Sequence, residues 1–330
     1  MEIPELTKWE HGITQVKISM SYPLRWVNSY VLQGTSGVAI IDPGPRSREA
    51  EEEWSKALGG MGLTVLDVSE VLLTHHHPDH YGLAGWIQTQ SSCRVYMSQR
   101  AYEETLLTWG SAATLNHELP SWFRQHGLPE LLINQIVEHM EVFLSQVSPQ
   151  PEVTLLEEGV AFEFGGRSWI PVETGGHAPG HISLYDKELG IMVCGDAVLP
   201  QISPNVSLIP GSDPDPLHTF IQGLNRLRQY EVRLAFPGHR NPFTTFHKRI
   251  DDLLAHHEER LDMVEELLVG SPRSGYEICM SLFRSKLTIH QMRFAMCEAL
   301  AHIQELVRRG KAEVAYPDDE TSPIKYIALL

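Results

Sequence analysis

The densest chemistry in the chain lies in His75-His76-His77-Pro78-Asp79-His80, which directly follows an apolar stretch at 71–73. Imidazole and carboxylate groups are donors to zinc, and also to manganese or iron. His75 and His77 alternate along an extended loop and can reach one cation from one side. Asp79 and His80 come after the Pro78 turn and can face a second cation. His76 points away from its neighbours and is not counted as a donor. Two cations need further ligands, and three later residues fit. His177 lies in Thr174-Gly-Gly-His177-Ala-Pro-Gly-His181, where the glycines allow close backbone approach. Asp196 ends Ile191-Met-Val-Cys-Gly-Asp196, where its carboxylate can bridge two ions. His239 ends Leu234-Ala-Phe-Pro-Gly-His239. The short apolar strands before these donors deliver them rigidly to a common edge. His181 is four residues past His177, a position better suited to supporting the site than to ligation.

With His75-x-His77-x-Asp79-His80, His177, Asp196 and His239 in that order, plus Ile41-Asp42-Pro-Gly44, the chain resembles the metallo-β-lactamase-fold hydrolases over roughly residues 12–245. The resemblance implies that His75, His77 and His177 hold one metal and that Asp79, His80 and His239 hold the other. Asp196 would bridge them, and Asp42 would orient the site from behind. Two zinc ions are the implied cofactor, with manganese or iron as alternatives. Asp79 and Asp196 are then the residues most directly tied to catalysis. A hydroxide held between the ions would attack a carbonyl carbon or a phosphorus, because metal binding lowers a water pKa to about 7. No serine or cysteine nucleophile is required, so Cys194 reads as a buried strand residue. Flavodiiron relatives carry a glutamate where this chain has His77, which favours hydrolysis. Persulfide dioxygenase relatives keep these histidines with one iron, which leaves a redox alternative.

The elements that must position these groups follow a β-rich, βα, helical, β-rich, βα, helical order. Strands are expected at 16–20, 29–33, 38–41, 71–74 and 93–97, with Gly34 and Gly37 at a hairpin. Ser47 caps a helix over 47–58, with Glu49 and Glu51 in its first turns. Residues 98–150 carry helical spacing at Leu131, Ile136, Met140, Phe143, Leu144 and Val147, divided by Pro120, Gly127 and Pro129. This reads as a helical insertion. Its Tyr102, Trp109, Trp122, Phe123 and Phe143 suit a lid over the metal cleft, a subunit interface or core packing. Strands return at 153–156, 160–164, 169–172, 183–185 and 191–194. A helix at 214–230, a strand at 233–236 and a long helix at 246–269 follow. His256 and His257 fall on the polar side of that last helix and read as solvated; His290 and His302 read as structural.

The tail supplies helices at 276–283 and 289–309, then two strands at 311–316 and 324–329 around Pro317-Asp-Asp-Glu320. It resembles the winged-helix extension of the β-lactamase-like group that includes a mitochondrial endoribonuclease and fungal thioesterases. The expected fold is therefore α/β (α+β): a four-layer αββα metallo-β-lactamase sandwich with a helical insertion and a small C-terminal winged-helix-like domain. Residues 1–245 form the catalytic domain, and 246–330 form the linker helix and the tail.

Composition sets the outer bounds. The chain has 330 residues, 42% hydrophobic and 21% charged, which is ordinary for a globular protein. Its net charge of −16 argues against nucleic-acid binding by bulk electrostatics. The tail, 271–330, holds eight Lys/Arg and seven Asp/Glu, and its only tight basic cluster is Arg308, Arg309 and Lys311. Packing on the catalytic domain, or homodimerisation, is the favoured use of the tail. No long apolar run suggests a membrane span, and the first residues, MEIPELTKWEHG, lack a secretory pattern. The four cysteines are far apart and read as free thiols in a cytoplasmic protein. The expected activity is metal-dependent cleavage of a small-molecule thioester, ester or lactone, with single-strand endoribonuclease activity as the alternative.

Overall fold

The computed structural model describes residues 5–20, 24–34, 37–110, 113–283, 286–315 and 322–329. Strands β1 (Leu6–Lys8), β2 (Ile13–Ser19), β3 (Trp26–Gly34), β4 (Gly37–Ile41), β5 (Val68–Leu72), β6 (Arg94–Ser98) and β7 (Val153–Leu156) form one sheet in that spatial order. The first four strands meander antiparallel, and β4 to β7 run parallel. Parallel neighbours need a crossover, and helices supply each one. Helix α1 (Arg48–Gly60) joins β4 to β5. Helices α2 (Pro78–Tyr81) and α3 (Ala84–Ser91) join β5 to β6. The insertion, α4 (Gln99–Trp109), α5 (Leu115–Gln125) and α6 (Glu130–Leu144), joins β6 to β7. Ser47 does cap α1, its side chain accepting from the Ala50 N–H.

The second sheet contains β8 (Phe162–Phe164), β9 (Arg167–Glu173), β10 (Ile182–Asp186), β11 (Ile191–Gly195) and β12 (Leu234–Pro237), in the order β12-β11-β10-β9-β8. Helix α7 (Pro216–Leu227) carries the parallel step from β11 to β12. Then come α8 (Phe246–Leu268), β13 (Arg273–Ser274), α9 (Gly275–Phe283), α10 (Ile289–Arg308), β14 (Ala312–Ala315) and β15 (Lys325–Ala328).

Alternation along the strands builds the layers. Ala39 and Ile41 face Ile191, Val193, Trp169 and Phe236 between the two sheets. Val38 and Ile40 face the other way, onto Trp54, Ala57 and Ile87 of α1 and α3. On β11, Met192 and Cys194 turn outward to α7, α8 and α10. The result is a mixed α/β sandwich with two facing sheets and helices on both outer faces.

Several expectations need correcting. The tail sheet has three strands, because two-residue β13 pairs with β15 and is too short to register as periodicity. The expected turn at 317–320 lies outside the described residues. Leu131 and Leu144 are exposed, since the buried stripe of α6 runs through Ile133, Ile136, Met140 and Phe143 instead. His257 is fully buried, not solvated. Helix α8 is covered by both α7 and α10, and His257 Nδ1 donates to His302 Nε2 at 3.1 Å. No described helix is long and apolar enough to cross a membrane.

Candidate metal centre

The donor residues converge where strands of both sheets end. Beyond β5 the chain continues through Leu73 and Thr74 into His75. The Thr74 carbonyl accepts from Ile182 N–H at 3.0 Å, which ties this loop to the one carrying His177. The Asp196 and His239 loops are joined in the same way, Gly238 N–H donating to Gly195 O at 2.8 Å. Gly238 is obligatory here, because a Cβ on it would sit 2.2 Å from Asp196 Oδ1 and 2.6 Å from His80 Cε1. A Cβ on Gly195 would strike His181 Nε2 at 2.6 Å.

Three sets of donor atoms lie close enough to share an ion: His75, His77 and His177; His75, His80 and Asp196; and Asp79, His80 and His239. His75 Nε2 is 3.1 Å from His77 Nδ1. Asp196 Oδ2 lies 3.6 Å from His80 Nε2, 3.6 Å from His177 Nε2 and 3.4 Å from His239 Nε2. Asp79 Oδ2 is 3.2 Å from His239 Nε2 and 3.7 Å from His80 Nε2. All seven residues proposed as ligands are therefore brought together, with Asp196 between the two groups.

The outer nitrogens of these rings are fixed. His80 Nδ1 pairs with Asp42 Oδ2 at 2.9 Å, His177 Nδ1 donates to Asn205 O at 2.8 Å, and His239 Nδ1 donates to Trp26 O at 3.0 Å. His181 takes no place in the donor set. Its Nδ1 engages Thr174 Oγ1 at 2.7 Å, and its Nε2 accepts from the Asp196 N–H at 3.0 Å. It holds the Asp196 backbone from behind. Asp42 sits at φ 51°, a left-handed conformation uncommon for a non-glycine residue.

Burial and neighbouring imidazoles hold His75 and His77 well below the usual histidine range, and burial lowers His177. These rings are kept neutral, the form that ligates metal. Burial opposes charge on His80 and His239, but Asp196 and Asp79 outweigh it. They raise His80 well above its ordinary value and lift His239 to about 10. Burial likewise opposes charge on Asp196, yet His239 and His80 hold its carboxyl well below the carboxylate range.

The fit to a cation rests on unmet donors. His80 Nε2, His177 Nε2 and Asp196 Oδ1 are buried without a hydrogen-bond partner. Unpaired buried polar atoms are costly. Three such atoms aimed into one space, in a set of imidazoles and carboxylates, suit divalent metal ions.

Above the donors is a cavity of about 460 Å³. His77, Asp79, His177, Asp196 and His239 form its floor. Trp109, Leu115, Leu119 and Phe143 form the wall from the insertion, and Phe283, Leu287 and Phe294 form the wall from the tail. Of the five aromatic residues of the insertion, Trp109 and Phe143 line this space, with Trp109 Nε1 donating to His76 O at 3.0 Å. Tyr102 packs on the α1–α3 side, Phe123 is fully buried, and Trp122 packs edge-on against His126. The reason is docking: α5 is bound to the tail through Tyr276 N–H to His126 O at 3.0 Å and Ile324 N–H to Gln125 O at 2.8 Å.

Sequence reasoning missed His290, Arg293 and Phe294, which face the cavity from α10. They lie far along the chain from the donor loops and carry no local motif. Cys194 is buried, its thiol donating to Val198 O at 3.3 Å and pushed up by burial, which leaves it no role as a nucleophile. Arg308 and Arg309 pair with Glu305, Arg309 also with Glu258, and Lys311 with Glu265.

Comparison with known proteins fits this geometry. Residues 23–239 match the metallo-beta-lactamase superfamily, and residues 261–326 match the metallo-beta-lactamase-like C-terminal domain. A probable metallo-hydrolase of Bacillus subtilis, YqjP, is 25% identical over 308 residues, covering 89% of this chain and 92% of its own. A metallo-beta-lactamase family protein from Thermus thermophilus superposes with a TM-score of 0.87 at 33% identity, over 96% of this chain and 99% of that one. A beta-lactamase domain protein from Burkholderia ambifaria gives 0.87 at 30% identity, over 98% and 94%.

Proposed function

The chain belongs to the metallo-beta-lactamase superfamily, and from that premise we propose a dinuclear zinc hydrolase acting on small-molecule thioesters, esters or lactones. The observation that carries this reading is the convergence of seven imidazole and carboxylate donors, five of them at the floor of a cavity with apolar walls. His75, His77 and His177 would hold one ion and Asp79, His80 and His239 the other, with Asp196 shared. Bound there, the ions supply an activated water and polarise the scissile oxygen.

The chain's own residues do the rest. Asp42 and Thr74 fix the orientation of His80 and His75, and His181 holds the Asp196 backbone. Trp109, Phe143 and Phe294 exclude bulk water and receive an apolar acyl group. Among the described residues on the wall, Arg293 is the only lysine or arginine. Its guanidinium lies 5.0 Å from the Phe143 ring and 4.4 Å from the Phe294 ring. A positive charge there suits an acyl group that ends in a carboxylate.

Residues 1–245 act as the catalytic unit and 246–330 as the unit that closes its cavity. The ion pairs of Arg308, Arg309 and Lys311 support a small substrate over RNA, since the basic cluster is already matched by acidic side chains. The free, buried thiols support a reducing, cytoplasmic setting.

The test is a paired assay on zinc-loaded protein, with acyl thioesters and lactones in one arm and fluorescent single-stranded RNA in the other. His77→Ala serves as the control. Thioester or lactone turnover that disappears in the control is expected, with about two zinc per chain by metal analysis. RNA cleavage lost in the control, or one tightly held iron, would overturn the reading.

A further inference from the structure

The third histidine of the first donor set is not held by the sandwich alone. His177 Nδ1 donates to the carbonyl of Asn205, 2.8 Å away, in the irregular segment between β11 and α7. That segment hangs from α10, in the C-terminal part of the chain. Asn205 Nδ2 donates to Glu298 Oε2 at 2.8 Å and lies 3.4 Å from Phe294 O. The Leu208 N–H donates to Cys297 O at 3.2 Å. Glu298 is itself buried and fixed from its other side, its Oε1 accepting from Arg260 Nη1 of α8 at 2.8 Å.

We propose that Glu298 is a positioning residue for the metal centre: the relay Arg260–Glu298–Asn205–His177 sets the ring of His177, so the C-terminal helices complete the first metal site. The inference rests on the reading of His177 as a ligand. The argument is geometric. The Asn205 carbonyl is the acceptor that fixes which nitrogen of His177 faces the other donors, and the partners of ligating histidines govern metal affinity by about 10–100-fold. A loop carbonyl is a precise acceptor only if its loop is immobilised. Here the immobilising groups come from a carboxylate 93 residues away in sequence. The carboxyl of Glu298 is buried and held on both oxygens, Asn205 donating to one and Arg260 to the other at 2.8 Å each, so the anchor of the loop is itself fixed.

The experiment measures zinc affinity directly, by competition with a chromophoric chelator, on full-length wild type, Glu298→Ala and Glu298→Gln. Circular dichroism and thermal midpoints are recorded beside it. In Glu298→Ala, one zinc equivalent is expected to bind about 10–100-fold more weakly while the other keeps wild-type affinity. Glu298→Gln retains an acceptor for Asn205 and the fold, and is expected to show a smaller loss on the same equivalent. Wild-type affinity for both equivalents in a folded variant would overturn the proposal. So would a uniform loosening of both ions that tracks a fall in thermal midpoint, which would mark a general structural role. If Glu298→Ala does not fold, the glutamine variant alone decides. No substrate enters the measurement, so failure of the hydrolase assay and failure of this inference are told apart.

Discussion

Asp42 Oδ2 lies 2.9 Å from Nδ1 of His80 and also accepts from Thr74 Oγ1 at 2.7 Å, while Thr74 Oγ1 is 2.9 Å from Nδ1 of His75. One carboxylate outside the donor set thus orients a histidine in each half of it. Asp42→Ala should lower zinc affinity or turnover about 10–100-fold. Because Asp42 also accepts from the Thr74 N–H at 2.8 Å, Asp42→Asn should recover part of the loss. Zinc competition and turnover under saturating zinc check this, and wild-type values in Asp42→Ala would refute it.

Asp79 is partly open to the cavity, with 18% of its side chain exposed. Asp79→Ala should disable the His80–His239 half of the centre and reduce hydrolysis by about a hundredfold or more. One zinc per chain is expected in the variant by elemental analysis. Near-normal turnover by a fully metallated variant would remove Asp79 from the mechanism.

The buried pair His257 and His302 makes a prediction about acid. Burial depresses both, to about 2 and about 3. Above the ordinary histidine value of about 6.5 neither folded nor unfolded chain is protonated, so the pair adds no pH dependence. Below it the unfolded chain takes up protons that the folded chain refuses. Stability should therefore fall as pH drops from about 6.5 towards 3, by about 1.4 kcal/mol per pH unit for each histidine. Chemical denaturation between pH 7.5 and 4.5 should give a slope shallower by that amount in His302→Leu. Equal slopes would mean that His302 is not held neutral.

Arg293 bears on selectivity. Arg293→Met should raise KM about tenfold or more for a thioester or lactone bearing a distal carboxylate and leave kcat and the neutral analogue nearly unchanged. Steady-state kinetics on the matched pair reads this, and equal effects on both substrates would exclude anion recognition.

The candidate donor set was legible in the sequence because each group of donors follows a strand, and glycines at 195 and 238 stand where a side chain would collide with the site. The sheets and most helices followed from period and punctuation for the same local reason. The cavity wall was not legible. Arg293 and Phe294 look like ordinary residues of an amphipathic helix, and Asn205 belongs to a segment without period. Their roles arise from contacts across long sequence separations. Trp122 and Phe123 were plausible as a lid because aromatic content alone does not distinguish a cavity face from a docking face. From the sequence alone His257 reads as solvated, because the charged residues after it hide the approach of α10.

The apolar layer outside the second sheet gathers Met192, Cys194 and Ala235 with residues as late as Leu306, Ala312 and Tyr326. A ribosome makes those residues only after every strand of the second sheet. Until then the nascent chain carries a formed or forming sheet whose outer layer lacks everything that α10 and the strands after it contribute. The first sheet, with its helices complete by residue 147, meets no such delay. Closure of this layer therefore waits for α10, and translation stalled before that helix would leave apolar surface exposed on the second sheet.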